Sequence, residues 1–183
     1  MNTLLYCYRS GVVNNMLGLG LAGVFVRPLT SPPLTLATFP YEHLAGQDLV
    51  YFALHGRSYD PNHLYGDDGQ IAISVELLRL KAPAMKGAIV VLEGCYGALT
   101  AFPTAFHTLG AAAVISSRTA TYDRRWRIGR AGRLGKDLVK ALRGGCSVGE
   151  AVEEALSRAD LETAAGFSWT GDDHAHLREK QRG

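Results

Sequence analysis

The segment Ala88–Gly97, AIVVLEGCYG, constrains the fold more than any other stretch of this chain: an apolar run passes straight into a Glu-Gly-Cys-Tyr-Gly turn. A short continuous apolar run bounded by turn residues fits a strand buried on both faces of a parallel sheet. The same grammar occurs earlier, in Asp48–Gly56, DLVYFALHG, where the apolar run ends in His-Gly. Strand, helix and strand then alternate as parallel pairing requires, so the expected class is α/β with a mostly parallel central sheet. Glycines around Cys95 allow a sharp backbone bend that lifts the thiol to the carboxyl edge of the sheet, where α/β folds place their ligands. Neighbouring parallel strands ending in His55 and Cys95 would bring an imidazole close to a thiol.

The rest of the chain fills in around these two blocks. Thr3–Tyr8 reads as a first strand with Cys7 in the core. Asn14-Asn15 can cap a short helix to Leu21, and Gly23–Arg27 reads as a second strand. Four prolines between Pro28 and Pro40 predict a connecting loop. Tyr41–Gly46 reads as a brief helical turn, residues 57–70 as a polar loop, and Ile71–Ile73 as a short strand. Ser74 caps a helix to Lys81 with Val75 and Leu78 turned inward. Pro103 suits the first turn of a helix that Gly110 ends, followed by the strand Ala111–Ser116. Thr119–Arg127 reads as a loop. Apolar positions 128, 131, 134, 138 and 142 have a helical period, stopped by Gly144-Gly145. Ser147 and Glu150 form a capping box for a last helix with Val148, Ala151, Val152, Ala155 and Leu156 on one face. Phe167–Thr170 is expected as an edge strand, and 177–183 as a frayed tail.

Composition narrows the function classes. A chain of 183 residues with 47% hydrophobic content suits one soluble domain spanning 1–183. The net charge of +2 gives no ground for a nucleic-acid partner. Met16–Val26 is glycine-rich and far shorter than a spanning helix, so it reads as domain core rather than a signal peptide or membrane segment. Three separated cysteines, Cys7, Cys95 and Cys146, indicate neither a disulfide framework nor a zinc site, and a reducing cytoplasm is expected. No metal or other cofactor is implied: Asp60 with Asp67-Asp68 lacks an EF-hand pattern, and His63, His107, His174 and His176 lack metal-ligand spacing. The basic run Arg118–Arg133 around Trp126 reads chiefly as a solvated face.

Cys95 is the nucleophile candidate, since a thiolate attacks carbonyl carbon well and histidine is the usual base that generates it. A helix beginning just beyond it would favour the thiolate through its dipole. Against this stands the fact that free cysteine is among the most buried residue types. His55, at an apolar strand end before Gly56, is poorly placed to be filler, and the N–H groups of Gly56 and Cys95 could face a developing oxyanion.

A hydrophobic block ending in His55-Gly56, followed by one ending in Glu93-Gly94-Cys95, resembles the caspase-like (clan CD) cysteine peptidases, closest to CHAT and gingipain-like domains. Gly110-Ala111 opening the next strand, the segment GGCSVGEAVEEAL and the terminal FSWTGDD are similar to that group as well, with Asp173 standing where proline is common. The resemblance implies a caspase-like α/β/α sandwich and a cysteine endopeptidase acting on a protein or peptide substrate, with room for a separate regulatory subunit. It makes Cys95 the nucleophile, His55 the base, and Gly56 and Cys95 the oxyanion-hole donors. Glu93 matches the position lining the pocket for the side chain before the scissile bond, where an acid favours a basic residue. Legumain-like relatives keep Glu there yet cut after Asn, and a carboxylate satisfied by backbone donors is the plainer reading.

Two other classes stay open. A non-catalytic caspase-like interaction or regulatory module would not need both Cys95 and His55. An amidotransferase or DJ-1-like hydrolase also carries Cys on a strand-to-helix elbow, but needs Gly where this chain has Glu93, and a catalytic His after the cysteine.

Overall fold

The computed structural model describes residues 3–7, 27–29, 34–66, 69–119, 130–159 and 161–177. In chain order the elements are β1 (Thr3–Cys7), β2 (Arg27–Leu29), β3 (Leu49–Ala53), β4 (His55–Arg57), β5 (Asp60–Tyr65), β6 (Ile71–Ser74), α1 (Val75–Lys81), β7 (Ile89–Leu92), α2 (Phe102–Thr108), β8 (Ala113–Ser117), α3 (Arg130–Arg143), α4 (Val148–Ser157), α5 (Leu161–Gly166) and β9 (Phe167–Gly171). Single 3-10 turns occupy Tyr41–Leu44 and Gly97–Leu99. The central sheet runs in the order β2-β1-β3-β7-β8-β9. Its pairings are parallel except that edge strand β9 is antiparallel to β8.

Every residue of β3, β7 and β8 is buried, as strands covered on both faces must be. Side-chain alternation divides them between two cores. Leu49, Tyr51, Ala53, Ile89, Val91, Ala113 and Ile115 pack with Leu134, Leu138 and Leu142 of α3 and with Val148, Ala151 and Val152 of α4. On the other face, Val50, Phe52, Val90, Leu92 and Val114 meet Leu78 of α1, Phe102 and Phe106 of α2, and Leu64 and Ile73 of a second, smaller sheet. Helices therefore lie on both sides of a mostly parallel sheet, in the expected α/β/α arrangement. The capped helices match the sequence closely. Ser74 Oγ accepts the Leu77 N–H at the start of α1. At α4 the Ser147 N–H donates to Glu150 Oε2 at 2.8 Å, while the Glu150 N–H donates back to Ser147 Oγ at 3.4 Å. The backbone and hydroxyl of Ser147 hold the Glu150 carboxyl below its ordinary range. Ser147→Ala is expected to cost about 0.5–2 kcal/mol, read as a lower denaturant midpoint at unchanged slope.

Three expectations need correction. Residues 57–70 are not all loop: β4, β5 and β6 form an antiparallel sheet, with His55 opposite Tyr65 and His63 opposite Ser74. The segment reads as loop because its middle strand, β5, opens with Asp60, Pro61 and Asn62, so no apolar alternation marks it. Next, β3 stops at Ala53, and His55 opens β4 in the second sheet instead of tipping β3. Finally, the expected Pro28–Pro40 loop starts later, since Pro28 and Leu29 belong to β2; of the expected Gly23–Arg27 strand only Arg27 is among the described residues. Pro28 is tolerated because β2 is at the edge of the sheet among the described residues.

The expected Asn14–Leu21 helix, the Met16–Val26 run, Asp67-Asp68 and most of the Arg118–Arg133 basic run lie outside the described residues. Leu177, first residue of the expected tail, packs against the α3–α4 core. Among the described residues no helix is long and apolar enough to cross a membrane, and no group of His, Cys, Asp and Glu could hold a metal ion.

Candidate active site

The chain leaves β3 through Leu54 into His55-Gly56, and leaves β7 through Glu93-Gly94 into Cys95. These two exits pack backbone against backbone. A Cβ on Gly56 would overlap the carbonyl oxygen of Cys95 and stand 3.0 Å from its carbonyl carbon. A Cβ on Gly94 would overlap the carbonyl oxygen of Leu54 and stand 3.4 Å from the Gly56 nitrogen. Only glycine permits so close an approach, so Gly56 and Gly94 are needed for contact and not for a bend. The left-handed conformation falls instead on Tyr96, at φ 58° and ψ 18°. Such a backbone is strained for a bulky residue and is held by the Tyr96 N–H donating to the Thr119 carbonyl at 3.0 Å.

Of the four site residues expected from sequence, Gly56 thus rests on the Cys95 main chain with His55 one residue before it, and all three are partly accessible. The chain just beyond Cys95 departs from the expected helix. It is one 3-10 turn, Gly97–Leu99, and α2 begins only at Phe102. A macrodipole needs aligned peptide units over successive turns, so the expected helix-dipole contribution at Cys95 loses its basis.

Glu93, the fourth residue, lies on the α3 side of the sheet. Its carboxyl accepts the Tyr51 hydroxyl at 2.6 Å, with Tyr51 projecting from the same face of the neighbouring strand β3. Burial pushes the Glu93 carboxyl above its ordinary range, and the Tyr51 hydrogen bond offsets this only in part. The phenol fits because α3 carries Gly135 over it: a Cβ there would overlap the Tyr51 hydroxyl and stand 3.0 Å from its ring carbon. Neither Tyr51 nor Gly135 stands out in the sequence as a site residue. The available signal is a glycine inside a helical pattern, which usually has a packing reason.

The hairpin that opens with His55 is stiffened by side chains. Asp60 accepts the Tyr65 hydroxyl and lies 3.0 Å from His63 Nδ1, while the Arg57 guanidinium sits 3.9 Å above the Tyr65 ring. At Asp60, desolvation acts upward but is outweighed by the hydrogen bonds of Tyr65 and His63, which bring the carboxyl below its usual range. His107 takes a structural position, its Nδ1 3.1 Å from the Ala111 carbonyl and its Nε2 2.9 Å from Thr170 Oγ1, tying α2 to β9.

Comparison with family profiles finds no matching family, and comparison with curated proteins finds no matching sequence. Solved structures do match. The Arg-specific cysteine proteinase gingipain R superposes with a TM-score of 0.70 at 12% identity, over 97% of this chain and 47% of that one. Separase in the Saccharomyces cerevisiae separase–securin complex matches with a TM-score of 0.62 at 11% identity, over 92% of this chain and 11% of that one. This chain thus spans about half of the first structure and a small part of the second. The likeness is one of architecture: this chain has the caspase-like fold, a mostly parallel sheet between helices.

Proposed function

We propose that this chain is a cysteine endopeptidase. His55 takes the proton of Cys95, and the thiolate attacks the scissile carbonyl carbon. The C–N bond breaks as the imidazolium returns that proton to the leaving amine, and water then hydrolyses the thioester. The N–H groups of Gly56 and Cys95 would face the oxyanion. The observation that supports the reading is the seating of Gly56 on the Cys95 backbone, which makes the main chain at the proposed base and the main chain at the proposed nucleophile neighbours. The fold shared with the cysteine proteinase gingipain R supports it.

Glu93 is the candidate determinant for the residue before the scissile bond, where an acid in a desolvated setting favours Arg or Lys. Gingipain R is described as Arg-specific, which agrees with that preference. Separase is found in a complex with securin, and a separate protein subunit that regulates the site is a fitting partner for this chain.

The test is a panel of fluorogenic peptides with Arg, Lys, Asn or Asp before the cleaved bond, given to wild type and Cys95→Ala. Cleavage by wild type that disappears in Cys95→Ala is the expected result. If wild type cuts none of them, and a thiol-directed label reacts with Cys95 no faster than with free cysteine, the chain is a caspase-like binding module.

A further inference from the structure

Three large apolar side chains stand exposed among the described residues: Tyr59 at 76%, Leu80 at 75% and Leu99 at 62%. Leu80 lies on α1. The other two lie on the segments that lead away from the candidate dyad, Tyr59 four residues after His55 and Leu99 four after Cys95. Those segments are tied at both ends. Gly56 rests on Cys95 at one end, and the Ala101 N–H donates to the Pro61 carbonyl at 3.0 Å at the other. Tyr59 and Leu99 each stand two residues from that hydrogen bond. Scattered apolar residues on a surface are ordinary, but these two lie on segments joined at Gly56–Cys95 and at Pro61–Ala101. The Tyr59 ring is also set in advance: Arg57 Nη1 donates to its hydroxyl at 2.9 Å, with the guanidinium 5.9 Å from the ring centre. A ring already held costs little entropy when another side chain is laid on it.

The side of the sheet says which part of a peptide would reach them. Glu93 and Tyr51 lie on the α3 face. The segment after Cys95 packs on the α2 face, where a Cβ on Gly97 would stand 3.2 Å from Leu92 Cβ and 3.6 Å from Ser116 Cβ. The acyl part and the leaving amine diverge from the scissile carbonyl. The base that accepts the thiol proton must reach the leaving nitrogen to return it, so the leaving side passes over the hairpin of His55 and Tyr59. We infer that Tyr59 and Leu99 form an apolar seat for the side chain directly after the scissile bond, giving this chain a preference for an aliphatic or aromatic residue there. The inference rests on the cysteine-peptidase reading of His55 and Cys95.

Internally quenched peptides with a fixed residue before the bond and Leu, Phe, Gly, Asp or Lys after it test this. Wild type is expected to favour Leu and Phe over Gly and Asp by about tenfold in kcat/KM, the scale of one hydrophobic contact. In Tyr59→Ser/Leu99→Ser that ratio falls toward one, while Leu80→Ser keeps it. A second variant, Leu99→Asp, should raise cleavage before Lys relative to Leu, a gain that loss of folding cannot mimic. Wild type that cuts these peptides without regard to the next residue, or a double variant that keeps the ratio, overturns this inference alone. Wild type that cuts none of them, with Cys95 labelled no faster than free cysteine, overturns the peptidase reading beneath it.

Discussion

His55→Ala is expected to lower peptide cleavage by about 10²–10⁴-fold, the usual contribution of a positioned base, with little change in Tm. Gly56→Ala, one residue later, should remove both. The atoms its new methyl group meets belong to the Cys95 main chain, which cannot swing aside as a side-chain tip can. Overpacking of this kind costs about 1–3 kcal/mol or more, and relief can come only by separating the exits of β3 and β7. That separation would carry His55 away from Cys95. The measurement is a denaturant midpoint for each variant beside its peptide turnover. Stability lost in Gly56→Ala but kept in His55→Ala distinguishes a backbone crossing from a chemical group. A Gly56→Ala protein as stable and as active as wild type would show that the two exits do not cross as described.

The residues that reveal this crossing were legible in part. Continuous burial made β3, β7 and β8 plain as uninterrupted apolar runs, and the Ser74, Ser147 and Glu150 caps declared their helices because capping is a local matter. The hairpin after His55 escaped because β5 opens with the three polar or turn-forming residues Asp60, Pro61 and Asn62, which hide any apolar period. The glycines at 56 and 94 were visible, but their reason was not: nothing local separates a glycine that turns from one that admits another chain segment. Only the pairing of β3 with β7, Phe52 beside Leu92, brings Leu54 and Gly56 against Gly94 and Cys95. The Tyr51–Glu93 hydrogen bond depended on the same register, since the two residues are 42 apart in sequence.

That hydrogen bond sets the other large expectation. Burial raises the Glu93 carboxyl above its ordinary range, whose reference value is 4.5. A carboxyl raised on folding favours the folded state most at pH below its unfolded value, and that contribution is lost as pH rises through the folded value. Glu93→Gln removes the ionisation, so it should match wild type in Tm near pH 4 and exceed it at neutral pH. Each kcal/mol of relief is worth about 2–4 °C in a chain of this size. Tyr51→Phe acts in the opposite sense, because it removes the hydrogen bond that holds the carboxyl down. Gly135→Ala should also destabilise by driving the phenol off Glu93, and should cost less in a Tyr51→Phe background, where the overlapped hydroxyl is absent. Equal costs in both backgrounds would remove Gly135 from the arrangement. If Glu93 also reads the residue before the scissile bond, the preference for Arg over Asn should strengthen as pH rises through its raised range, and should flatten in Glu93→Gln. A ratio indifferent to both pH and substitution would leave Glu93 a strut between the sheet and α3, with substrate choice residing elsewhere.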